Sequence, residues 1–525
     1  MDLSIQESVW EEERTMKIDE ISKIDPKKFT FVQKDSKLHD TKFDTKPIGY
    51  FKDAWYRFSR NKGSVVAAVI ILCLLIFAIV VPIFSRFNVA YFDTRYSYAM
   101  PKSKFLSQFG ILDGTKEFKG LNQQSYDYYN AIPGAITKVY RSYEVTDSGR
   151  TNTYYDIRMD SYAKVGFATL TLTKDEYEKL VAYEKETGIQ VVYPIVDKNK
   201  ISSPSYDTDV NVWYKHDTKG KAKLDDNGNY INIFQTATED NISTGNFMTV
   251  NNDGTLNDQG EYTVKRYITK NDGNTYEVRA LYSEYYKYIH GFEACFLFGV
   301  DSFGKDILVC LASGARLSFI LAFSVSIINF ILGLIYGSIE GYYGGKIDLV
   351  MERIVEILYD IPFLVMATLF QIYFARKVGV LPSLLFSFVL TGWIGIAGRT
   401  RTQFYRYKGQ EYVFAARTLG ARDRRIIFRH ILPNALGTII TSAVLLIPGV
   451  INSESVLSFL GIVSLQTSTT TSVGTMLANG QSTLSTYPHV IFFPALFISL
   501  LMICFNMFGN GLRDAFNPSL RGSEG

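Results

Sequence analysis

The residues that come closest to forming a chemical site lie in segment 299–306, which reads Gly-Val-Asp-Ser-Phe-Gly-Lys-Asp. Its two glycines and Lys305 have the spacing of a loop that binds nucleotide phosphates. Asp306, however, stands where such a loop needs a Ser or Thr to hold magnesium. The five histidines form no His-Glu-x-x-His pattern, and no Gly-x-Ser-x-Gly sequence is present. We therefore predict that this chain binds no nucleotide and carries no catalytic site.

A second segment, 411–433, has a pattern typical of a surface that a partner protein can move. Its sequence EYVFAARTLGARDRRIIFRHILP predicts an amphipathic helix, a break at Gly420, a second helix and a stop at Leu432–Pro433. Glycine permits the sharp angle between the two helices. The arginines of the segment are Arg417, Arg422, Arg424, Arg425 and Arg429. Because basic loops of membrane proteins stay inside the cell, we expect a cytoplasmic elbow that a soluble partner can push.

This elbow resembles the EAA loop of binding-protein-dependent ABC importers, which reads Glu-Ala-Ala-x-x-x-Gly and ends downstream in Leu-Pro. Two positions depart from that pattern, because Phe414 replaces the Glu and His430 stands where Ile is usual. The matching residues are Ala415, Ala416, Gly420, Leu432 and Pro433. The flanking sequence resembles the C-type permease subunit of oligopeptide and dipeptide importers (OppC/DppC-like) over residues 50–85 and 292–521.

In relatives, this loop lies in a groove on an ATPase subunit, and closure of two ATPases switches the cavity between outward and inward access. The resemblance implies that this chain binds no cofactor itself, and that ATP and Mg are bound by the partner ATPase subunits. It also implies that Arg422, Asp423 and Arg424 pair with charges on the partner. The expected coupling residues are Glu411, Ala415, Ala416, Gly420, Arg422, Asp423, Arg424, Leu432 and Pro433. The alternative is a solvated basic loop that faces anionic lipid.

A second family pattern, Phe-Gly-x-Asp-x-x-Gly-Arg/Lys-Asp, stands just before the second apolar run. The residues that match it are Phe298, Gly299, Asp301, Gly304, Lys305 and Asp306. We expect this motif to anchor the outer end of the helix that follows it.

Apolar runs of membrane-spanning length set the fold class. They are Val65–Phe84, Ser318–Tyr336, Ile354–Phe374, Leu381–Ile396, Ile439–Phe459 and Val490–Met507. Lys and Arg before the first run, and nine of them between Arg399 and Arg429, place both termini in the cytoplasm. We predict a mainly α membrane protein with the six transmembrane helices of the type I ABC importer permease fold. An α+β extracellular domain is inserted between the first two helices.

Polar residues within these runs predict local features. Asn452, Ser453 and Glu454 are candidates for the translocation pathway, because a carboxylate in the bilayer marks a cavity or a bond between helices. A purely structural role for Glu454 is the alternative. We expect a kink at Pro362. Arg353 and Glu356, at i and i+3, should form an ion pair.

The predicted domains follow from these runs. They are 1–62 (cytoplasmic tail and interfacial helix), 63–85 (first span), 86–297 (extracellular insert), 298–510 (core permease, with the coupling loop 411–433) and 511–525 (cytoplasmic tail). In the interfacial helix, one face carries Tyr50, Phe51, Ala54, Trp55 and Phe58. This helix either wraps the partner subunit or serves as an ordinary membrane anchor.

The insert has the patterning of a folded domain. Thr173 and Glu176 form a capping box, and the helix should end at Gly188. A strand is predicted over Ile189–Val196, and a hairpin over Glu261–Thr269 and Thr275–Leu281. The insert is rich in Tyr and is expected to dock a substrate-binding lipoprotein or cover the outer mouth of the channel. Alternatively, its Tyr-rich strands simply pack and face water.

Together these features predict a permease subunit of an ATP-driven oligopeptide importer in the bacterial cell membrane. The expected partners are a second permease (OppB-like), two cytoplasmic ATPases (OppD/OppF-like), an extracellular peptide-binding lipoprotein (OppA-like), peptides and membrane lipid, with no nucleic acid. Two alternatives remain. One is a permease for nickel or another small solute, and the other is a receptor that uses the extracellular domain.

Overall fold

The computed structural model describes residues 49–147, 150–197, 211–234, 247–250, 263–270, 273–467 and 469–516. Most of these residues are helical. The helices are α1 (Tyr50–Arg60), α2 (Lys62–Phe84), α3 (Gln123–Asn130), α4 (Lys174–Thr187), α5 (Tyr282–His290), α6 (Ile307–Tyr343), α7 (Gly345–Tyr359), α8 (Phe363–Val378), α9 (Val380–Gly392), α10 (Ile394–Lys408), α11 (Glu411–Thr418), α12 (Asp423–Arg425), α13 (Leu432–Phe459), α14 (Val473–Gln481) and α15 (His489–Phe516).

Five helical stretches of the described chain are long and apolar enough to cross a membrane. They are α2, α6, the pair α9–α10, the run from α12 through α13, and α15. The pair α7–α8 is a sixth span if its two bent halves are counted together. The chain is therefore a mainly helical membrane protein, as predicted, and it has five or six candidate spans where six were predicted.

The third predicted span, Ile354–Phe374, consists of two helices, α7 and α8, rather than one kinked helix. The chain bends by 72° between α7 and α8, and Pro362 stands immediately before the first residue of α8. Proline has no amide hydrogen to donate and fixes its own φ, so it ends the first helix and is tolerated where the next begins. The predicted kink at Pro362 is confirmed, and so is the ion pair between Arg353 and Glu356.

The long helix α6 lies at the centre of the membrane helices and packs against α2, α10 and α13. Its C-terminal half approaches α10 very closely, as two of its glycines show. A Cβ at Gly337 would lie 2.2 Å from the carbonyl oxygen of Ala397, and one at Gly341 would lie 2.8 Å from that of Arg401. Small residues at such positions let two membrane helices come into backbone contact, so α6 and α10 form a tight pair.

An α+β region lies between the first span and the later helices. Its strands are β1 (Thr115–Asn122), β2 (Ile136–Asp147), β3 (Arg150–Asp160), β4 (Phe167–Thr173), β5 (Val192–Tyr193), β6 (Phe247–Val250), β7 (Thr263–Lys270) and β8 (Gly273–Leu281). One antiparallel sheet has the order β1-β3-β2, and the other has the order β4-β8-β7-β6 with β5 paired to β8. This placement agrees with the predicted α+β insert.

Two local predictions in this region are confirmed and one is wrong. The Thr173–Glu176 capping box starts α4, which ends at Gly188 with φ +68°, and β7 and β8 form the predicted hairpin. The strand predicted over Ile189–Val196 is reduced to two residues. The carboxylate of Glu184 accepts the amides of Val191 and Val192, at 2.7 Å each, and thereby competes with a longer strand ladder.

The tyrosines of the insert build its core. Tyr96, Tyr177 and Tyr286 are among the largest side chains that are fully buried in the described structure. The region also contacts the segment just before the last span, because the ring of Tyr98 stacks on that of Tyr487 at 4.4 Å. Packing therefore accounts for several of these tyrosines.

The predicted apolar face of helix α1 is only partly buried. Ala54 and Phe58 are buried, and the ring of Phe58 meets that of Phe508 in α15 edge to face at 5.4 Å. Trp55, in contrast, is 71% exposed. Part of this face therefore packs on the chain itself, and Trp55 remains free for lipid or a partner.

Candidate functional site

The segment 411–433 folds as an elbow, with one correction. Helix α11 ends before Gly420, whose φ of +78° is the left-handed conformation that glycine adopts readily. After α12 the backbone forms a π-helical turn over Ile426–Ile431 and continues directly into α13. The predicted stop at Leu432–Pro433 is wrong, because proline is accommodated in the first turn of a helix, where its missing amide hydrogen is not needed.

The inner side of the elbow is fixed to the membrane helices by an apolar cluster. Val413 from α11, Ile426 and Ile431 from the π turn, and Phe404 from α10 are all fully buried. Tyr342 at the end of α6 belongs to the same cluster. The elbow therefore packs directly against α6, α10 and α13, and close-packed interiors of this kind transmit strain.

The outer side of the elbow is apolar and basic. Phe414 is 51% exposed, Phe428 58% and Leu419 87%. Arg422, Arg424 and Arg425, together with Phe428, line an open depression of about 470 Å³. Sequence reasoning missed these three apolar side chains, although Phe414 in place of the usual Glu was a visible signal. Large apolar groups exposed together with arginines are typical of a protein contact surface.

The expected coupling residues divide between these two sides. Exposed ones are Glu411, Ala415, Gly420, Arg422, Asp423, Arg424 and Pro433, and buried ones are Ala416 and Leu432. Asp423 is held within the chain, because the Tyr342 hydroxyl donates to its carboxylate at 2.6 Å.

A cluster of ion pairs near the elbow, which sequence spacing did not reveal, centres on Arg401 of α10. Its guanidinium donates to both carboxylate oxygens of Asp348, at 2.6 and 3.0 Å, and lies 3.4 Å from Glu352 and 3.5 Å from Glu340. Tyr405 donates to Asp348 at 2.7 Å. None of the α7 residues is buried, so these polar contacts are a main attachment of α7 to α6 and α10.

The three polar residues proposed for the pathway lie in different environments. Asn452 is exposed and Ser453 is half-buried, whereas Glu454 is completely buried. The carboxylate of Glu454 accepts hydrogen bonds from Ser318 of α6 at 3.1 Å and from Ser458 at 2.9 Å. A carboxylate with hydroxyl donors from two helices ties those helices together.

The motif before α6 forms a tight loop. The Asp301 carboxylate accepts the amides of Phe303 and Lys305 at 2.9 Å each, and Asp306 caps α6 by accepting the amide of Leu308 at 2.9 Å. Burial raises the pKa of Asp301, and it raises the pKa of Asp306 to about 6.

Packing fixes this loop to the rest of the chain. The ring of Phe298 stacks on that of Phe493 in α15 at 4.0 Å. Gly299 and Gly304 have φ values of +79° and +80°, and a Cβ at Gly304 would lie 2.2 Å from the carbonyl oxygen of Asp93. The motif thus joins the start of α6 to the segment that follows the first span.

Two protein families match parts of the chain. Residues 313–522 match the binding-protein-dependent transport system inner membrane component, and residues 49–101 match the N-terminal TM domain of oligopeptide transport permease C. The interval between these matches contains the α+β region.

Individual relatives agree with these matches. The oligopeptide transport system permease protein OppC of Bacillus subtilis (strain 168) is 41% identical over 228 residues, which are 43% of this chain and 72% of that protein. The dipeptide transport system permease protein DppC of the same organism is 41% identical over 225 residues, 43% of this chain and 69% of that protein. OppC of Escherichia coli (strain K12) is 37% identical over 227 residues, 43% of this chain and 72% of that protein.

Solved structures are less similar. The inward-facing MetNI methionine ABC transporter is 17% identical, with a TM-score of 0.33, over 39% of this chain and 96% of that chain. Values this low support no conclusion about function.

Proposed function

From the membership of this chain in the OppC/DppC family of ABC importer permeases, we propose that it is one of two membrane subunits of an ATP-driven oligopeptide importer. The chain is the non-catalytic membrane component, and in such systems the ATPases bind ATP and Mg. Its partners are an OppB-like permease, two OppD/OppF-like ATPases and an OppA-like peptide-binding lipoprotein. The six spans have the type I permease arrangement, in which α7 and α8 together form the third.

The elbow is the coupling site, and one observation carries this assignment. Its inner face is packed into the membrane helices, while Phe414, Leu419 and Phe428 are exposed, the last of them beside three arginines. We assign the apolar groups to a groove on the ATPase and the arginines to acidic groups at the rim of that groove. Gly420 sets the angle between the two arms.

The pathway and the insert have separate tasks in this proposal. Asn452, which is exposed, and the half-buried Ser453 line the pathway, because a polar group in a span that is not fully buried belongs against water or a partner subunit. Glu454 instead holds α6 against α13. Both termini lie in the cytoplasm, so the α+β region lies outside. There it docks the binding lipoprotein or covers the mouth of the channel, and the motif 298–306 anchors it to α6.

Co-purification tests the coupling assignment. The tagged chain is expressed with its candidate partners as wild type, as Leu419→Asp, and as Leu484→Asp. Leu484 is 50% exposed and lies outside the elbow, so its variant is a matched control. We expect wild type and L484D to retain two ATPases and the second permease, whereas L419D retains only the permease. ATPases that remain with L419D at the wild-type level would contradict the assignment.

Uptake into proteoliposomes tests the substrate. The ATP is placed in the vesicle lumen, on the side of the ATPases, and the binding lipoprotein is added outside. Under these conditions we expect uptake of labelled oligopeptides. Uptake of nickel but not of peptides would replace the peptide assignment with the small-solute one. Ligand binding by the insert without ATP-dependent uptake of either class would favour the receptor.

A further inference from the structure

Two lysines lie near the same aromatic ring, where the α+β region touches the segment just before the last span. The Lys116 ammonium in β1 lies 4.0 Å from the centroid of the Tyr487 ring and donates to the carbonyl oxygen of Thr486 at 2.6 Å. The Lys164 ammonium lies 6.0 Å from the Tyr487 centroid and 6.0 Å from that of Phe118. Two positive charges therefore share one aromatic pocket.

These charges have no carboxylate partner within the part of the chain that the structure describes. Lys102, in the same region, is different because its positive charge is paired with a carboxylate. Its ammonium lies 4.7 Å from the Tyr162 centroid and 3.2 Å from the Asp160 carboxylate. Burial lowers the pKa of Lys116 and Lys164, and for Lys164 the neighbouring charge of Lys116 lowers it further. An anion placed between the two ammonium groups offsets both the cost of burying these charges and the repulsion between them.

The position of this lysine pair, next to the start of α15, indicates which anion is available. Thr486 and Tyr487 immediately precede α15, the last candidate span, and Tyr98, which stacks on Tyr487, follows the first span. Tyrosine rings collect at the membrane–water interface, where the phosphates of lipid headgroups lie. Only 22% of the most apolar stretch of the first span is buried within the chain, so much of its surface is left for lipid.

We propose that Lys116 and Lys164 bind the phosphate of a membrane lipid headgroup against the ring of Tyr487. Two ammonium groups offer several donors to phosphate oxygens, and the phenyl ring of Phe118 and that of Tyr487 exclude water from one side. A bound lipid would fasten the α+β region to the bilayer beside the last span. Free phosphate has the same binding chemistry, and the experiment separates the two sources.

Native mass spectrometry of the purified full chain provides the test, with phosphatidylglycerol as the probe and diacylglycerol as the phosphate-free comparison. The variants are Lys116→Gln with Lys164→Gln, the charge-conserving Lys116→Arg with Lys164→Arg, and Lys119→Gln as a control. Lys119 is an exposed lysine of the same strand. Thermal unfolding of each variant checks that the fold is retained.

We expect wild type, K119Q and the double Arg variant to retain phosphatidylglycerol but not diacylglycerol. The double Gln variant should bind phosphatidylglycerol about tenfold more weakly. Equal retention by the double Gln variant and wild type would overturn the proposal. Displacement of the lipid by millimolar inorganic phosphate would also overturn it, because the pocket would then be a site for free phosphate. Should the double Gln variant unfold, the single K164Q variant must show the weaker lipid binding.

Discussion

The hydroxyl of Tyr342 donates a 2.6 Å hydrogen bond to the carboxylate of Asp423, although the two residues are 81 positions apart. This bond joins the C-terminal end of α6 to the second arm of the elbow. Tyr342 is buried in the cluster that holds the elbow, whereas Asp423 is exposed. One oxygen of the Asp423 carboxylate is thus engaged within the chain, so the arginines beside it are the groups that we expect to pair with the ATPase. The bond is therefore a direct link between the elbow and α6, the central membrane helix.

Replacing Tyr342 by Phe should weaken this link without removing the ring from the apolar cluster. A hydrogen bond to a charged group contributes about 1 kcal/mol or more, which corresponds to about a fivefold change in the population of the docked elbow. We expect the ATPases to remain bound while less peptide is imported per ATP hydrolysed, measured in proteoliposomes. Tyr343→Phe is the control, since Tyr343 is half exposed. An unchanged ratio in Y342F would show that the bond is not used in coupling.

Arg401→Met should release α7. The change leaves the carboxylates of Asp348 and Glu352, and the buried one of Glu340, without their shared cation, at a cost of about 2 kcal/mol. We expect faster amide exchange over Gly345–Tyr359, measured by hydrogen–deuterium exchange, with little change in α13. Arg406→Met removes an exposed arginine from the same helix and serves as the control. Equal protection of α7 in R401M and R406M would contradict the role of the cluster.

Asp306 should make the thermal stability depend on pH. Burial raises its folded-state pKa to about 6, so the folded protein holds the proton more tightly than the unfolded chain. The stabilising contribution is fully present below pH 4 and is lost as the pH rises through 6, up to about 3 kcal/mol in all. In Asp306→Asn, which keeps a side-chain oxygen for the cap, Tm should fall less between pH 4 and 7. Asp226→Asn is the exposed control, and an unchanged slope in D306N would refute the assignment.

Gly304→Ala should destabilise the protein more than Gly291→Ala does. Both glycines have left-handed φ values, +80° and +73°, so both substitutions carry a backbone strain of about 1 kcal/mol. Only at Gly304 would the new Cβ overlap a backbone atom, the carbonyl oxygen of Asp93, while the space around Gly291 is open. We expect a clearly lower Tm for G304A by thermal unfolding. Equal Tm values would mean that the motif does not depend on this close approach.

The sequence by itself determined the features that depend on neighbouring residues. The capping box at Thr173, the hairpin of β7 and β8 and the turn at Gly420 follow from hydrogen bonds and φ values within a few positions, which residue type controls directly. Apolar runs located the spans for the same reason. Even there, proline was ambiguous: at Pro362 it separates two helices, whereas at Pro433 it begins one.

Only the tertiary structure decided which distant side chains meet. Arg401 and Asp348 are 53 positions apart, and Lys116 and Thr486 are 370 apart. Neither pair shares a helix face or a strand register, so no spacing rule can predict it. Such contacts depend on how whole helices pack, for example where Gly337 and Gly341 let α6 and α10 approach. Packing therefore decided that Glu454 is buried between two helices while Asn452, two positions earlier, is exposed.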